Sequence, residues 1–143
     1  MSLAFLCFRT AVVLGLCGLT LGVGMGMAQD FTLMPVHAHI NLLGWVSFFL
    51  YGAFYFLVPS AAQGTLPKIH YTLALVGLVV MMIGVAGILT GRTSLEIVAI
   101  VGSLITYAGF LTFLVIVFMA KPVPVSSLLR RAAERHAEMP ANT

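Results

Sequence analysis

Charge is what this sequence has least of. Seven basic and four acidic side chains among 143 residues make 8% charged, where soluble domains carry about a quarter. So few charges cannot coat a water-facing surface. With 61% hydrophobic residues and a mean hydropathy of +1.11, a soluble globular domain is excluded. Cysteine is almost missing too. Cys7 and Cys17 fall in one apolar run, about 15 Å apart along a helix axis, too far to pair with each other. No CxxC or CxxCH string offers a zinc or c-type haem site. Also lacking are the alternating segments of about ten residues that mark membrane β-strands.

What is present is a series of long uncharged runs with the charges at their edges. They predict membrane-spanning helices at about 8–28, 38–59, 69–90 and 95–120, each near the ~20 residues that cross a hydrocarbon core. The expected fold is all-α, a four-helix up-down bundle over residues 1–121 with a basic tail at 122–143. The first run also fits a signal peptide, with Gly26-Met27-Ala28 as small residues at a cleavage site, although it is longer than the usual apolar core. Arg9, Lys68, Lys121, Arg130, Arg131 and Arg135 can lie on one side of the membrane, with Arg92 alone opposite. The positive-inside rule then makes both termini cytoplasmic and turns the 28–36 and 91–96 connections outward. The expected setting is a bacterial inner (plasma) membrane. In the tail, residues 126–136 read as a short interfacial helix with its basic residues at anionic headgroups, too short to argue for nucleic acid.

Gly15, Gly18, Gly22 and Gly26 fall at spacings of three and four on the first helix. Such a face lets backbones approach closely or makes room for a flat cofactor. A homo-oligomer is expected, with Gly18, Gly22 and Gly26 buried between helices of one subunit or two.

Polar chemistry concentrates in Met34-Pro35-Val36-His37-Ala38-His39-Ile40-Asn41-Leu42-Leu43-Gly44-Trp45, which opens the second run. At about 100° per residue His37, Asn41, Gly44, Phe48, Tyr51 and Tyr55 share one face, with His39 turned away beside Val46 and Leu50. An imidazole beside a helix face that carries a glycine suits haem, because the ring nitrogen ligates iron and the missing side chain leaves room. The same two histidines also suit the interface, hydrogen-bonded to water and loop carbonyls. With Met25, Met27 and Met34, His37 and His39 make a soft-donor set that suits Cu(I), so a copper-binding or copper-delivery protein is the alternative. A third reading is a cofactor-free accessory subunit of a respiratory complex. Arg92 is placed either against haem propionates or in an i,i+4 ion pair with Glu96. His70 is read as an anchor at the cytoplasmic interface, and Tyr51, Tyr55, Tyr71 and Tyr107 as belt or bundle packing.

The string from His37 to Trp45, the aromatic span ending Leu57-Val58-Pro59, and Leu66-Pro67-Lys68-Ile69-His70 opening a Gly/Met-rich span together resemble the second and third helices of the cytochrome oxidase subunit I-like superfamily. That group includes haem-copper oxidases and nitric oxide reductases, and the resemblance covers roughly residues 30–90. It implies a b-type haem near the outer face with His37 as axial ligand, or His39 if the helix phase differs. Asn41, Gly44 and Arg92 would sit around it, and the role would be electron transfer or binding of haem or a diatomic gas. The large members place copper and the second haem ligands on later helices, for which this sequence has no counterpart. What could complete the iron shell is Met25, Met27 or Met34, His39 on another haem, or His37 of a second copy. No nucleophile–base pair or acid–base dyad accompanies the histidines, so no residue is assigned a catalytic role.

Overall fold

The protein, in a computed structural model, is an all-α bundle of four long helices. The structure describes residues 2–121 and, in the tail, residues 126, 130, 133 and 134. The helices are α1 (Leu3–Ala28), α2 (Met34–Leu57), α3 (Leu66–Leu89) and α4 (Glu96–Met119). All four are long and apolar enough to cross a membrane, which makes this a membrane protein. The described tail residues are helical, with Arg130 and Glu134 paired at 2.9 Å; the rest of the expected interfacial helix lies outside the described residues. We call the end where α1 begins proximal and the end where α1 turns into α2 distal.

Local chemistry sets the helix ends. Ser2 caps α1 by accepting the Phe5 N–H at 3.5 Å, so α1 starts at Leu3, ahead of the expected residue 8. It stops at Gln29, whose left-handed backbone (φ 51°) returns its N–H to the Met25 carbonyl. The following turn is held by Asp30, which accepts both the backbone N–H and the hydroxyl of Thr32, at 2.9 and 2.6 Å. These bonds, the hydroxyl's first, hold the Asp30 carboxyl below its ordinary range. Pro35 and Pro67 occupy the first turns of α2 and α3, where a missing N–H costs nothing. Pro59 follows the end of α2 and opens a 3-10 turn, Pro59–Ala62. A second such turn, Thr93–Leu95, leads into α4.

The bundle is two helical hairpins. α1 packs along α2, α3 packs along α4, and α2 and α3 join the pairs. Between α3 and α4 the contact is backbone on backbone. A Cβ at Gly77 would stand 2.5 Å from the Thr106 nitrogen, and Cβ atoms at Gly84 and Gly102 would run into the backbones of Ala99 and Met81. Lipid tails are as apolar as leucine, so helices in a bilayer associate through such close fit. Thr106 sits at this seam with its hydroxyl satisfied by the Gly102 carbonyl of its own helix, at 2.9 Å.

Two clusters of buried side chains fill the bundle. The proximal one gathers Cys7, Phe48, Tyr51, Tyr55 and Ile116 around small residues, and the distal one Val36, Leu78, Met81 and Met82. The seam at Gly102 leaves no space for a methyl group, so Gly102→Ala should cost about 1–3 kcal/mol by overpacking. Gly26, with nothing within 4 Å of a built Cβ, should accept alanine without loss. Thermal unfolding of the two variants in detergent checks the contrast.

Candidate functional site

The two ends of the bundle each hold one inward-facing histidine, and the two are built differently. At the distal end, α2 carries a π-helical stretch, Ile40–Val46, between α-helical turns. In an uninterrupted α-helix His37, Asn41 and Trp45 would drift by about 40° at each four-residue step. The wider turn takes the drift back, so all three side chains meet α1. Built Cβ atoms show the match: one at Gly22 would stand 2.7 Å from His37 Cε1, one at Gly18 2.6 Å from the Asn41 amide nitrogen, and one at Gly15 3.0 Å from Trp45 Cγ. The glycine face of α1 is therefore occupied within one chain, by α2. Gly26 takes no part in it, having open space around it.

His37 lies half-buried in this notch with Nδ1 at 2.9 Å from the Gly18 carbonyl. A carbonyl only accepts, so Nδ1 carries a hydrogen, and in the neutral ring the lone pair falls to Nε2. Asn41 donates to the His37 carbonyl at 2.9 Å, and its amide nitrogen stands 3.4 Å from both ring nitrogens, leaning on the ring rather than pairing with either. His39 is turned to the other side and gives its Nδ1 hydrogen to the Pro35 carbonyl of its own helix, at 2.6 Å. α2 begins at Met34, ahead of both histidines, so the two imidazoles do not converge.

The remaining sequence-predicted residues are dispersed. Gly44 is buried, but Leu14 and Leu78 fill the space beside it, with a built Cβ 3.1 and 3.2 Å from them. Met25 is buried, whereas Met27 is 83% exposed and Met34 55%, so the thioethers do not face one point. Among the described residues no three His, Cys, Asp or Glu side chains surround one point that could hold an ion. Arg92 is exposed at the distal end and makes no ion pair with Glu96 among the described residues. The i,i+4 geometry expected for that pair is missing because residues 93–95 form a 3-10 turn and Arg92 stands outside the helix.

The proximal end corrects the reading of His70. It is not an interfacial anchor but a fully buried residue. Its ring stacks on Phe113 of α4 (centroids 4.9 Å apart, planes at 27°) and stands edge-to-face with Tyr51 at 4.4 Å. Its Nδ1 is 2.8 Å from the Tyr55 hydroxyl, and its Nε2 has no partner among the described residues. If Tyr55 donates, one group is left over, the Nε2 hydrogen. If His70 donates, two are left over, the Nε2 lone pair and the tyrosine hydrogen. The smaller deficit assigns Tyr55 as donor. Cys7 of α1 is fully buried in the same cluster. The signal in the sequence was periodic: His70 shares a helical face with Ala74, Gly77 and Met81, all buried, and Tyr51 and Tyr55 share one with Phe48.

Comparison with known proteins gives no match: no family model, no curated protein and no solved structure is significantly similar to this chain.

The Tyr55–His70 bond generates a prediction. Tyr55→Phe strands a second ring nitrogen in hydrocarbon and should cost about 1–3 kcal/mol. Tyr55→Phe combined with His70→Phe removes the whole polar set and should recover most of that loss. Unfolding of the single and double variants in detergent closes the cycle.

Proposed function

We propose that this chain is a small membrane haem-binding protein of b type that serves electron transfer or the binding of haem or a diatomic gas, with His37 Nε2 as an axial ligand. The observation that carries the reading is the bond from His37 Nδ1 to the Gly18 carbonyl. A backbone acceptor on the far nitrogen fixes the tautomer, orients the ring and raises the basicity of the nitrogen left over, which is how metal-bound histidines are generally held. The resemblance of residues 30–90 to the cytochrome oxidase subunit I-like superfamily supports the same residue.

The residues supply one ligand and no internal slot. Beside Gly44 the space is taken by Leu14 and Leu78, and His37 and Asn41 themselves fill the notches at Gly22 and Gly18. The reading therefore rests on the donor chemistry of His37 and on the resemblance. Bound haem would supply one-electron exchange or an open position for a gas. The chain's own contribution is to direct Nδ1–H to the Gly18 carbonyl, so that Nε2 is the nitrogen left to a ligand, and to fix the ring against Gly22. Copper is the weaker alternative, because Met25 is buried while Met27 and Met34 are exposed. A cofactor-free bundle is favoured by the filled glycine notches, where His37 and Asn41 act as an interhelical clasp.

An absorption spectrum separates these readings. Protein purified from haem-replete cells should show a Soret band and visible bands that sharpen on reduction. His37→Ala should lose them. His39→Ala should keep them, since that ring is tied to its own helix. A colourless protein would leave the clasp, and near-stoichiometric copper in such a sample would favour the metal alternative.

The orientation we propose puts the proximal end, with both termini, in the cytoplasm of a bacterial inner (plasma) membrane, because six of seven Lys and Arg residues fall on that side. With Cys17→Ala as background and Cys7 buried, Gln29→Cys should label with an impermeant maleimide in intact cells and Ala141→Cys only after lysis. Equal labelling of both would reverse this conclusion.

A further inference from the structure

Three of the four tyrosines face the inside of the bundle, and two of them have a hydroxyl partner there. Tyr55 bonds to His70 and Tyr71 to Thr10 at 2.8 Å, while Tyr51 is buried against the His70 and Phe113 rings. Tyr107 is different: it points out of the bundle, 63% exposed, and its hydroxyl has no hydrogen bond among the described residues. It is the twelfth residue of the 24-residue α4, so it stands at the middle of the span. Either interface is about 15 Å away, farther than a tyrosine side chain can reach, and lipid tails accept no hydrogen bond. A polar group at this depth normally faces protein.

The surroundings of Tyr107 identify the protein it faces. Ile100, Leu104, Tyr107, Leu111, Leu114 and Phe118 follow one another at alternating steps of four and three and are all exposed. This is the spacing of a two-helix seam. Beside it Ser103 is exposed, and its hydroxyl donates to the Ala99 carbonyl at 2.8 Å, which leaves the oxygen free to accept. Helical side chains lean toward the helix N-terminus, so the Tyr107 hydroxyl reaches back to the level of residue 103.

We propose that this face of α4 pairs with the same face of a second copy, the Tyr107 hydroxyl of each chain donating to the Ser103 hydroxyl of the other. Two copies inserted with the same orientation hold their α4 helices parallel and at one depth. A two-fold axis along the membrane normal then makes both bonds at once, because one chain carries donor and acceptor on a single turn. The opposite face of α4 is spent on α3, through Gly102 and Thr106, so the pairing leaves the fold of the monomer unchanged. It is independent of the haem reading, since His37 lies on α2.

The test uses the full chain in lipid nanodiscs. Cysteines introduced one at a time at Leu104 and Leu111, in the Cys17→Ala background where the remaining Cys7 is buried, should form disulfide-linked dimers under mild oxidation at least fivefold more than a cysteine at Val12, an exposed position on α1. Tyr107→Phe keeps the exposed ring and should weaken dimerisation about three- to tenfold, the sum of two interhelical hydrogen bonds. Ser103→Ala should do the same, and the double variant no more than either alone. A monomeric mass without cross-linking at Leu104 or Leu111, preferential cross-linking at Val12, or a Tyr107→Phe protein that dimerises like the wild type would each overturn the proposal.

Discussion

Everything in this structure depends on how closely helix backbones can approach in a solvent that does not drive them together. Burying leucine against leucine gains little in a bilayer, because lipid offers the same surroundings. What remains is the fit of one helix into another. The α3–α4 pair uses glycine in the direct way, with Gly77, Gly84 and Gly102 each lying against the backbone of the facing helix. The α1–α2 pair uses glycine to make notches, and His37, Asn41 and Trp45 fill them. The first device sets a distance between helices and the second sets a register, since three large side chains at fixed intervals fit three gaps in only one alignment.

The π stretch of α2 follows from that register. Gly15, Gly18 and Gly22 step by three and four, whereas His37, Asn41 and Trp45 step by four and four. Two regular α-helices cannot keep both series facing each other. Widening α2 over Ile40–Val46 absorbs the mismatch. The irregularity also leaves Gly44 to be filled from two sides, by Leu14 of α1 and Leu78 of α3, which joins the helix pairs at that level.

Much of this was legible in the sequence. Four spans, their hairpin order and the glycine face of α1 follow from hydropathy and spacing, and the face of α2 that carries His37, Phe48, Tyr51 and Tyr55 is the inward one. Two features were not. The partner of the glycine face could not be named, because small residues invite any neighbour and spacing alone does not choose between one subunit and two. His70 was misplaced because charge was the guide. Lys68 marks an interface two residues away, yet the helical face that includes His70 runs inward through Ala74 and Gly77. Near a helix end, two positions turn a side chain by about 200°, so proximity to a lysine says little about which way a neighbour points.

The polar side chains within the spans show how differently one cost can be met. His37 has a backbone carbonyl of a neighbouring helix, an acceptor that needs no side-chain order and takes the Nδ1 hydrogen. His70 has a side-chain partner and a ring nitrogen left over, enclosed by aromatic rings on two sides. The difference bears on what each can do. A ring in a half-buried notch can be approached without disturbing the core. An orphaned nitrogen sealed between Phe113 and Tyr51 can be reached only if the helix contacts around it open. By this argument His37 ties α2 to α1, and His70 is the one that fixes how α2, α3 and α4 meet. The same side chain ends half-buried or sealed in the core according to which helix face carries it and what that face meets.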